Sequence, residues 1–215
     1  MKIESKKARI IIYMVVFYLL IIMRVFIYNA FDRNFPNPLH RMISSNIFRF
    51  LIWVLPVFLY LIFVDRTNPF RFLKLNTSLK KGFLWSMGVL LLGAIWQFTA
   101  FKLGYDKIGQ ISSISIIGLL IISVCEEILM RGFILNKLSE IMSFPKALLI
   151  TSAFFITIHY PGWLLISHLS LTVIIKYSVS IFFVVALPCG YFVRKSNSLY
   201  PAIVLHSVNN FVSAL

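Results

Sequence analysis

Residues 113–133 read SISIIGLLIISVCEEILMRGF: an apolar run passes without a break into Glu126, Glu127 and Arg131. A charge at the centre of a bilayer costs about 2.5–3.5 kcal/mol on insertion scales. Charges in such a segment therefore need partners, a wet cavity or a chemical task. If the run is a membrane span, it decides both the fold class and where to look for chemistry. Glu127 and Arg131 are four apart with the acid first, the favourable order for an ion pair on a helix. Glu126 points about 100° away from Glu127. Left without its own counter-charge, it is expected to face a cavity, where a carboxylate suits general acid or base work.

The whole chain supports the membrane reading. It has 215 residues, 60% hydrophobic and only 13% charged, with a mean hydropathy of +0.89; soluble domains are roughly a quarter charged. Basic residues number 21 against 7 acidic. They stand in short clusters between apolar runs, which is the pattern of loop charges and not of a nucleic-acid-binding face. Cys125 and Cys189 both lie in apolar runs and read as packing residues, with no metal-ligand spacing. The opening MKIESKKARIIIYMVVFYLLIIM has no A-x-A-like cleavage site, so it is expected to be a retained first span.

Roughly twenty apolar residues cross a bilayer as a helix. Candidate spans are 10–28, 47–64, 83–101, 112–136, 146–160, 169–193 and 198–214. The expected fold is all-α: a polytopic transmembrane bundle of about seven spans, forming a single integral membrane domain over 1–215 with the motif region at 112–215. Basic residues concentrate in the N-terminal tail, 65–82, 131–146 and 194–197, and alternate with poorer loops at 29–46, 102–110 and 161–168. By the positive-inside rule the rich regions are cytoplasmic. The expectation is a multi-pass protein of the cell membrane with its N-terminus in the cytoplasm. The tract NPFRFLKLNTSLKKGF at 68–83 mixes aromatics with cations, as an interfacial helix does.

Polar residues converge on three spans. The fourth carries Glu126, Glu127 and Arg131; the fifth carries Phe155 and His159; the seventh carries His206, Asn209 and Asn210. At 1.5 Å rise per residue, Glu126, His159 and His206 lie about 16, 20 and 16 Å from the nearest basic end, all near mid-bilayer. That agreement predicts one shared polar site. His206 and Asn210 are i,i+4 and project together, and Phe155 sits one turn before His159, where it can fix the imidazole rotamer. Glu126 and His159 are suited to polarise a water, and His206 and Asn210 to hold a developing oxyanion. Glu126, His159 and His206 also match a catalytic zinc set with one open position. The donors come from three helices with no HExxH, so spacing does not decide between a metal and a metal-free route.

The patterns EExxxR (Glu126, Glu127, Arg131), FxxxH (Phe155, His159) and HxxxN (His206, Asn210), in that order over about 112–215, resemble the CAAX-processing and bacteriocin-immunity (CPBP, or Abi) intramembrane protease family. The Ser-Leu-Tyr-Pro-Ala before His206 is also similar to it. The resemblance implies a helical bundle that hydrolyses peptide bonds within the membrane. It implies that Glu126 and His159 activate water and that His206 and Asn210 face the oxyanion. Members are usually named metalloproteases, while a metal-independent glutamate mechanism has been argued for relatives. A peptide or membrane-protein substrate in the bilayer is implied, in bacteriocin self-immunity or peptide-signal processing and not on a prenylated tail.

Two other function classes compete. A non-catalytic immunity protein would bind a peptide toxin or its receptor and keep the motifs for structure. A proton relay would also use intramembrane Glu and His, but the chain has no repeated half. Glu127 and Arg131 read as a structural pair that orients the fourth helix, and Asn209 as interhelical glue. His40 and His168 fall in expected loops, Arg24 is long enough to snorkel, and Lys176 is a candidate cavity residue without a role.

Overall fold

The structure, a computed structural model, describes residues 3–32, 37–102 and 113–214, and every regular element among them is a helix. Helix α1 is Ile3–Asp32. Helix α2 starts at Pro38–Arg49 and continues through a π-helical turn at Phe50–Val54, Leu55–Leu59 and a second π turn at Tyr60–Val64. A short α3, Pro69–Phe72, leads to α4, Leu79–Lys102. Helix α5 is Ser113–Glu127, extended by the π segment Ile128–Ile134 and by Leu135–Ser139. Then come α6 (Phe144–Thr157), α7 (Tyr160–Leu165), α8 (Leu171–Ile181, a π turn at Phe182–Ala186, and Leu187–Ser196) and α9 (Tyr200–Ala214).

Local chemistry explains most of these boundaries. Asn37 caps α2 by accepting from the Leu39 amide at 2.9 Å, and Pro38 follows at the first helical position, where its missing N–H costs nothing. Two of the π turns stand just before Pro56 and Pro188. Proline removes a helical donor and crowds the preceding turn, so the ladder widens there. The π segment at Ile128–Ile134 has no proline beside it. It begins immediately after the paired glutamates and contains Arg131.

Among the described residues five helices are long and apolar enough to cross a membrane: Glu4–Ile27, Leu39–Val64, Leu79–Thr99, Phe144–Leu165 and Leu171–Ser196. A helical membrane bundle is as expected, while the number of about seven spans is not confirmed. Over the predicted 112–136 span, Ser113–Ser139 is continuously helical and carries Glu126, Glu127 and Arg131 buried within it. The predicted 198–214 span yields a helix of only 15 residues. Outward faces of the bundle are apolar: Phe63, Leu92, Trp96 and Leu171 are all exposed. Polar and charged groups such as Glu127, Arg131, Ser123 and His206 are buried instead. That inversion is what a lipid solvent requires, and the chain is a multi-pass membrane protein. One core cluster links Phe17, Trp53, Leu61, Phe133, Phe155 and Ala202, so helices from α1 to α9 share it. Cys125 and Cys189 are buried free thiols within it.

The basic regions meet at one end of the bundle. Lys6 pairs with Glu140 at 3.0 Å, and Lys137 bridges Glu140 at 2.7 Å and Asp65 at 2.6 Å. The Thr77 hydroxyl donates to the Asn197 carbonyl at 2.7 Å, and the Leu199 amide donates to the Lys74 carbonyl at 3.0 Å. Arg131 does not belong to that end, because it is buried in the bundle. The expected interfacial helix at 68–83 is also corrected. Only Pro69–Phe72 forms a helix before α4, and Leu73 is fully buried against Gly132 and Leu199. His40 lies in α2 and not in a loop, while His168 does lie between α7 and α8. Lys176 is exposed on α8 and lines no cavity of the site. The 102–110 loop lies outside the described residues, apart from Lys102 at the end of α4.

Candidate active site

The site grows from the join between α5 and its π extension. Glu127 and Arg131, both essentially without solvent contact, pair at 2.8 Å between Oε1 and Nη1. The other terminal nitrogen, Nη2, donates to the Ala186 carbonyl on α8 at 3.1 Å. That carbonyl belongs to the π turn of α8, so the guanidinium ties two widened helices together. The same Oε1 of Glu127 accepts from Nδ1 of His206 on α9 at 2.8 Å. A carboxylate only accepts, so Nδ1 of His206 carries the proton and Nε2 is the free nitrogen when the ring is neutral. Nε2 faces Oε2 of Glu126 at 3.6 Å, longer than a hydrogen bond. The two glutamates therefore flank one imidazole. Glu127 holds its outer nitrogen and Glu126 stands opposite the inner one.

His159 is positioned by a break in its helix. Helix α6 ends at Thr157 and α7 begins at Tyr160, with Pro161 in its first turn. Pro161 has no N–H to give the Thr157 carbonyl, which the Tyr18 hydroxyl approaches at 3.4 Å. At the break the His159 amide takes the Ile156 carbonyl, a tighter bond than the helical one. That frees the Phe155 carbonyl, and Nδ1 of the His159 ring donates to it at 2.8 Å. The free lone pair of His159 is then on Nε2. The two histidines thus share one tautomer, each set by an acceptor on its Nδ1.

Phe155 fixes both rings from between them. Its ring meets His159 edge-on at 5.0 Å and His206 edge-on at 5.4 Å, and the Arg131 guanidinium lies over it at 4.4 Å. An aromatic face under a cation and positive ring edges against a π cloud are both favourable. On α9, Asn210 lies one turn beyond His206 and donates through Nδ2 to the Ser123 hydroxyl of α5 at 3.0 Å. Ser123 passes its own proton to the Leu119 carbonyl at 2.9 Å. Helix α9 can come this close because α4 has Gly93 facing Val208; a Cβ at Gly93 would lie 2.8 Å from the valine's Cγ1.

Glu126 and His159 line one cavity of about 590 Å³. His206 and Asn210 are not among its lining residues. His206 is buried behind Glu126, and Asn210 is half-buried. The cavity also contains residues that the sequence reading missed: Arg24 of α1, and Arg41, Asn46 and Arg49 of α2. Their signal was present as a helical period, since 41, 45 and 49 and then 42, 46, 49 and 53 share one side of a helix. For Arg41 and Asn46 the expected loop at 29–46 hides it, whereas α2 is already helical from Pro38.

The zinc expectation can be tested on the donors. Both imidazoles present Nε2, each oriented through Nδ1 as a metal-bound histidine would be. Yet among the described residues no three His, Cys, Asp or Glu side chains stand together so as to hold a metal ion. As placed, Glu126, His159 and His206 do not form such a group.

Residues 108–212 match the family model described as type II CAAX prenyl endopeptidase Rce1-like. The matched segment contains every residue of the three motifs. The matched segment, just under half of the chain, is similar to that family, which is the one the motif order resembles. The family description is that of a membrane-embedded protease acting on peptide or protein substrates, which is what the matched segment is similar to. No curated protein and no solved structure matches the chain.

Proposed function

We propose that this protein is an intramembrane endopeptidase in which Glu126 and His159 activate the hydrolytic water. Glu126 takes a proton from water as the oxygen attacks the peptide carbonyl carbon, and delivers it to the leaving amine as the C–N bond breaks. His159, held by the Phe155 carbonyl, offers Nε2 to the same water. His206 and Asn210 serve the developing oxyanion. Glu127 orients the His206 ring through Nδ1, so that Nε2 is turned toward the Glu126 side of the site. Asn210, oriented by Ser123, has a second N–H in its carboxamide. The observation that carries this reading is that Glu126 and His159 line one cavity while His206 stands directly behind Glu126.

The substrate is a hydrophobic peptide or a membrane-protein segment, and the role is bacteriocin self-immunity or peptide-signal processing in the cell membrane, with the N-terminus cytoplasmic. The test is the purified full-length protein in lipid vesicles with a pool of hydrophobic peptides, products being read by mass spectrometry with and without chelator. Glu126→Gln should lower cleavage by at least about a hundredfold, the lower range of general-base effects. His206→Ala should also remove it, and chelator should change nothing. Wild-type rates in both variants would overturn the enzyme reading. Protection of cells from a peptide toxin that survives Glu126→Gln would favour the non-catalytic immunity protein. Cleavage lost only with chelator would favour the metal route.

A further inference from the structure

The cavity that holds Glu126 and His159 reaches toward one end of the bundle only. Lys6, Asp65, Lys137 and Glu140 pair with one another and mark the basic end. Helices α2, α5 and α6 each run between that end and the site. Toward the basic end they are packed. Leu129, Met130 and Phe133 follow Glu126 on α5, Val57 and Leu61 follow Trp53 on α2, and Phe155 precedes His159 on α6. Each is at most 1% exposed, and all six belong to the core cluster. Away from the basic end the same helices line the cavity instead. Gly118 and Ile122 share the face of Glu126 on α5, Gly162, Ile166 and Ser167 continue the wall beyond His159, and Ser45 and Asn46 continue it beyond Trp53. Exposure rises along this wall. Ile158 is buried, His159 and Gly162 are half-buried, and Ile166 and Ser167 are exposed; on α2, Trp53 and Asn46 are buried and Ser45 is half-buried. Ser167 lies about 21 residues from Lys146 and Ser45 about 20 from Asp65, each roughly 30 Å along its helix. A hydrocarbon core is about 30 Å thick, so the cavity runs from mid-bilayer to the interface opposite the basic end.

We propose that the site is fed from the face opposite the basic end, which the positive-inside rule makes the outer face of the membrane, and that its substrate is a peptide presented there and not a tail in the cytoplasm. Water argues for the same route. Hydrolysis consumes one water for each bond cut, and the bilayer core supplies none. Ser45, Asn46 and Ser167 give the far wall hydroxyls and a carboxamide that can hold water, whereas the packed apolar side chains seal the basic side. A Cβ at Gly162 would meet nothing within 4 Å, so the space is open one turn beyond His159. The volume of about 590 Å³ is room for a short stretch of peptide. That the substrate is a peptide rests on the peptidase reading; the direction of access rests on the geometry alone.

Single cysteines in the full-length protein read the route. A charged thiol reagent that does not cross membranes is added to intact cells and to permeabilised cells. Ile122→Cys puts a thiol on the deep wall one turn from Glu126, Ile166→Cys puts one at the mouth, and Lys81→Cys puts one at the basic end. The wild-type protein, whose two thiols are buried, is the blank. Thiols react as thiolates, which need water, so Leu92→Cys on the outward apolar surface should stay unlabelled. Ile122→Cys and Ile166→Cys should label in intact cells, and Lys81→Cys only after permeabilisation. An apolar peptide added outside should abolish the labelling of Ile122→Cys. Should Ile122→Cys fail to fold, Ser45→Cys reads the same cavity. Labelling of the deep thiol only after permeabilisation, or from neither side in a variant with the wild-type unfolding midpoint, would overturn the proposal. So would labelling of Ile166→Cys and Lys81→Cys from the same side. If the deep thiol is reached from outside but wild-type protein cuts no added peptide, the peptidase reading falls while the route stands. If vesicles cut peptides only when these are supplied at the basic end, the route falls while the peptidase reading stands.

Discussion

At the residue scale, two adjacent glutamates do opposite work. Glu127 is locked between Arg131 and His206 through a single oxygen, with all three side chains buried. Glu126 faces the cavity, with Nε2 of His206 standing 3.6 Å from its Oε2. Removing one partner of a buried pair strands the other, at about 3–5 kcal/mol. Glu127→Gln is therefore expected to destabilise the protein strongly, and thermal unfolding in detergent should show a much lower midpoint. Glu126→Gln should leave that midpoint within a few degrees while abolishing cleavage. Similar midpoints for the two would contradict the division. The i,i+4 spacing of Glu127 and Arg131 made their pairing legible in the sequence. The bond from Glu127 to His206 was not legible, because no local pattern gives the rotation of α9 about its own axis.

At the element scale, the site depends on a helix being interrupted. Pro161 ends α6 near His159, and the resulting turn frees the Phe155 carbonyl that sets the imidazole. Pro161→Ala restores a donor for Thr157 and favours a continuous helix. It should lower cleavage by about tenfold or more through a misplaced His159 imidazole, with stability unchanged or raised. A rate equal to wild type would show that the break does not position His159. Helix α9 depends similarly on Gly93. Gly93→Ala drives a methyl into Val208, an overpacking expected to cost about 1–3 kcal/mol, and Val208→Ala should recover most of it in the double variant. Additive losses in a double-mutant cycle would place the strain elsewhere. The helices themselves were legible from apolar run length, since the only regular elements described are helices. Their number is less legible: five of the described helices are long and apolar enough to span, while α5 pairs its charges internally and α9 has only 15 residues.

At the scale of the whole molecule, one end is held by charges and the rest by apolar packing. Lys6 of α1, Asp65 after α2, and Lys137 and Glu140 at the end of α5 form a chain of ion pairs. Burial opposes the charged form of Glu140, but Lys137 and Lys6 outweigh it and hold its carboxyl below the ordinary 4.5. Burial likewise opposes the charge on Lys137, and the bonds to Asp65 and Glu140 prevail, raising it above 10.5. The two signs define a window. The contribution of Glu140 is present above pH 4.5 and is lost as pH falls through its lowered folded value. The contribution of Lys137 is present below pH 10.5 and is lost as pH rises through its raised one. Both groups are partly exposed, so screening limits each to the range of surface pairs, about 1 kcal/mol or less. Unfolding midpoints should therefore be flat from about pH 5 to 10 as far as this network is concerned and decline on both sides. Glu140→Gln should remove its part of the acid limb and Lys137→Met its part of the alkaline limb, each by about 1–3 °C. Adding about 0.5 M salt should shrink both differences, because exposed charges are screened over a few ångströms. A pH profile in which neither variant changes its own limb would mean that the network contributes nothing to holding that end together.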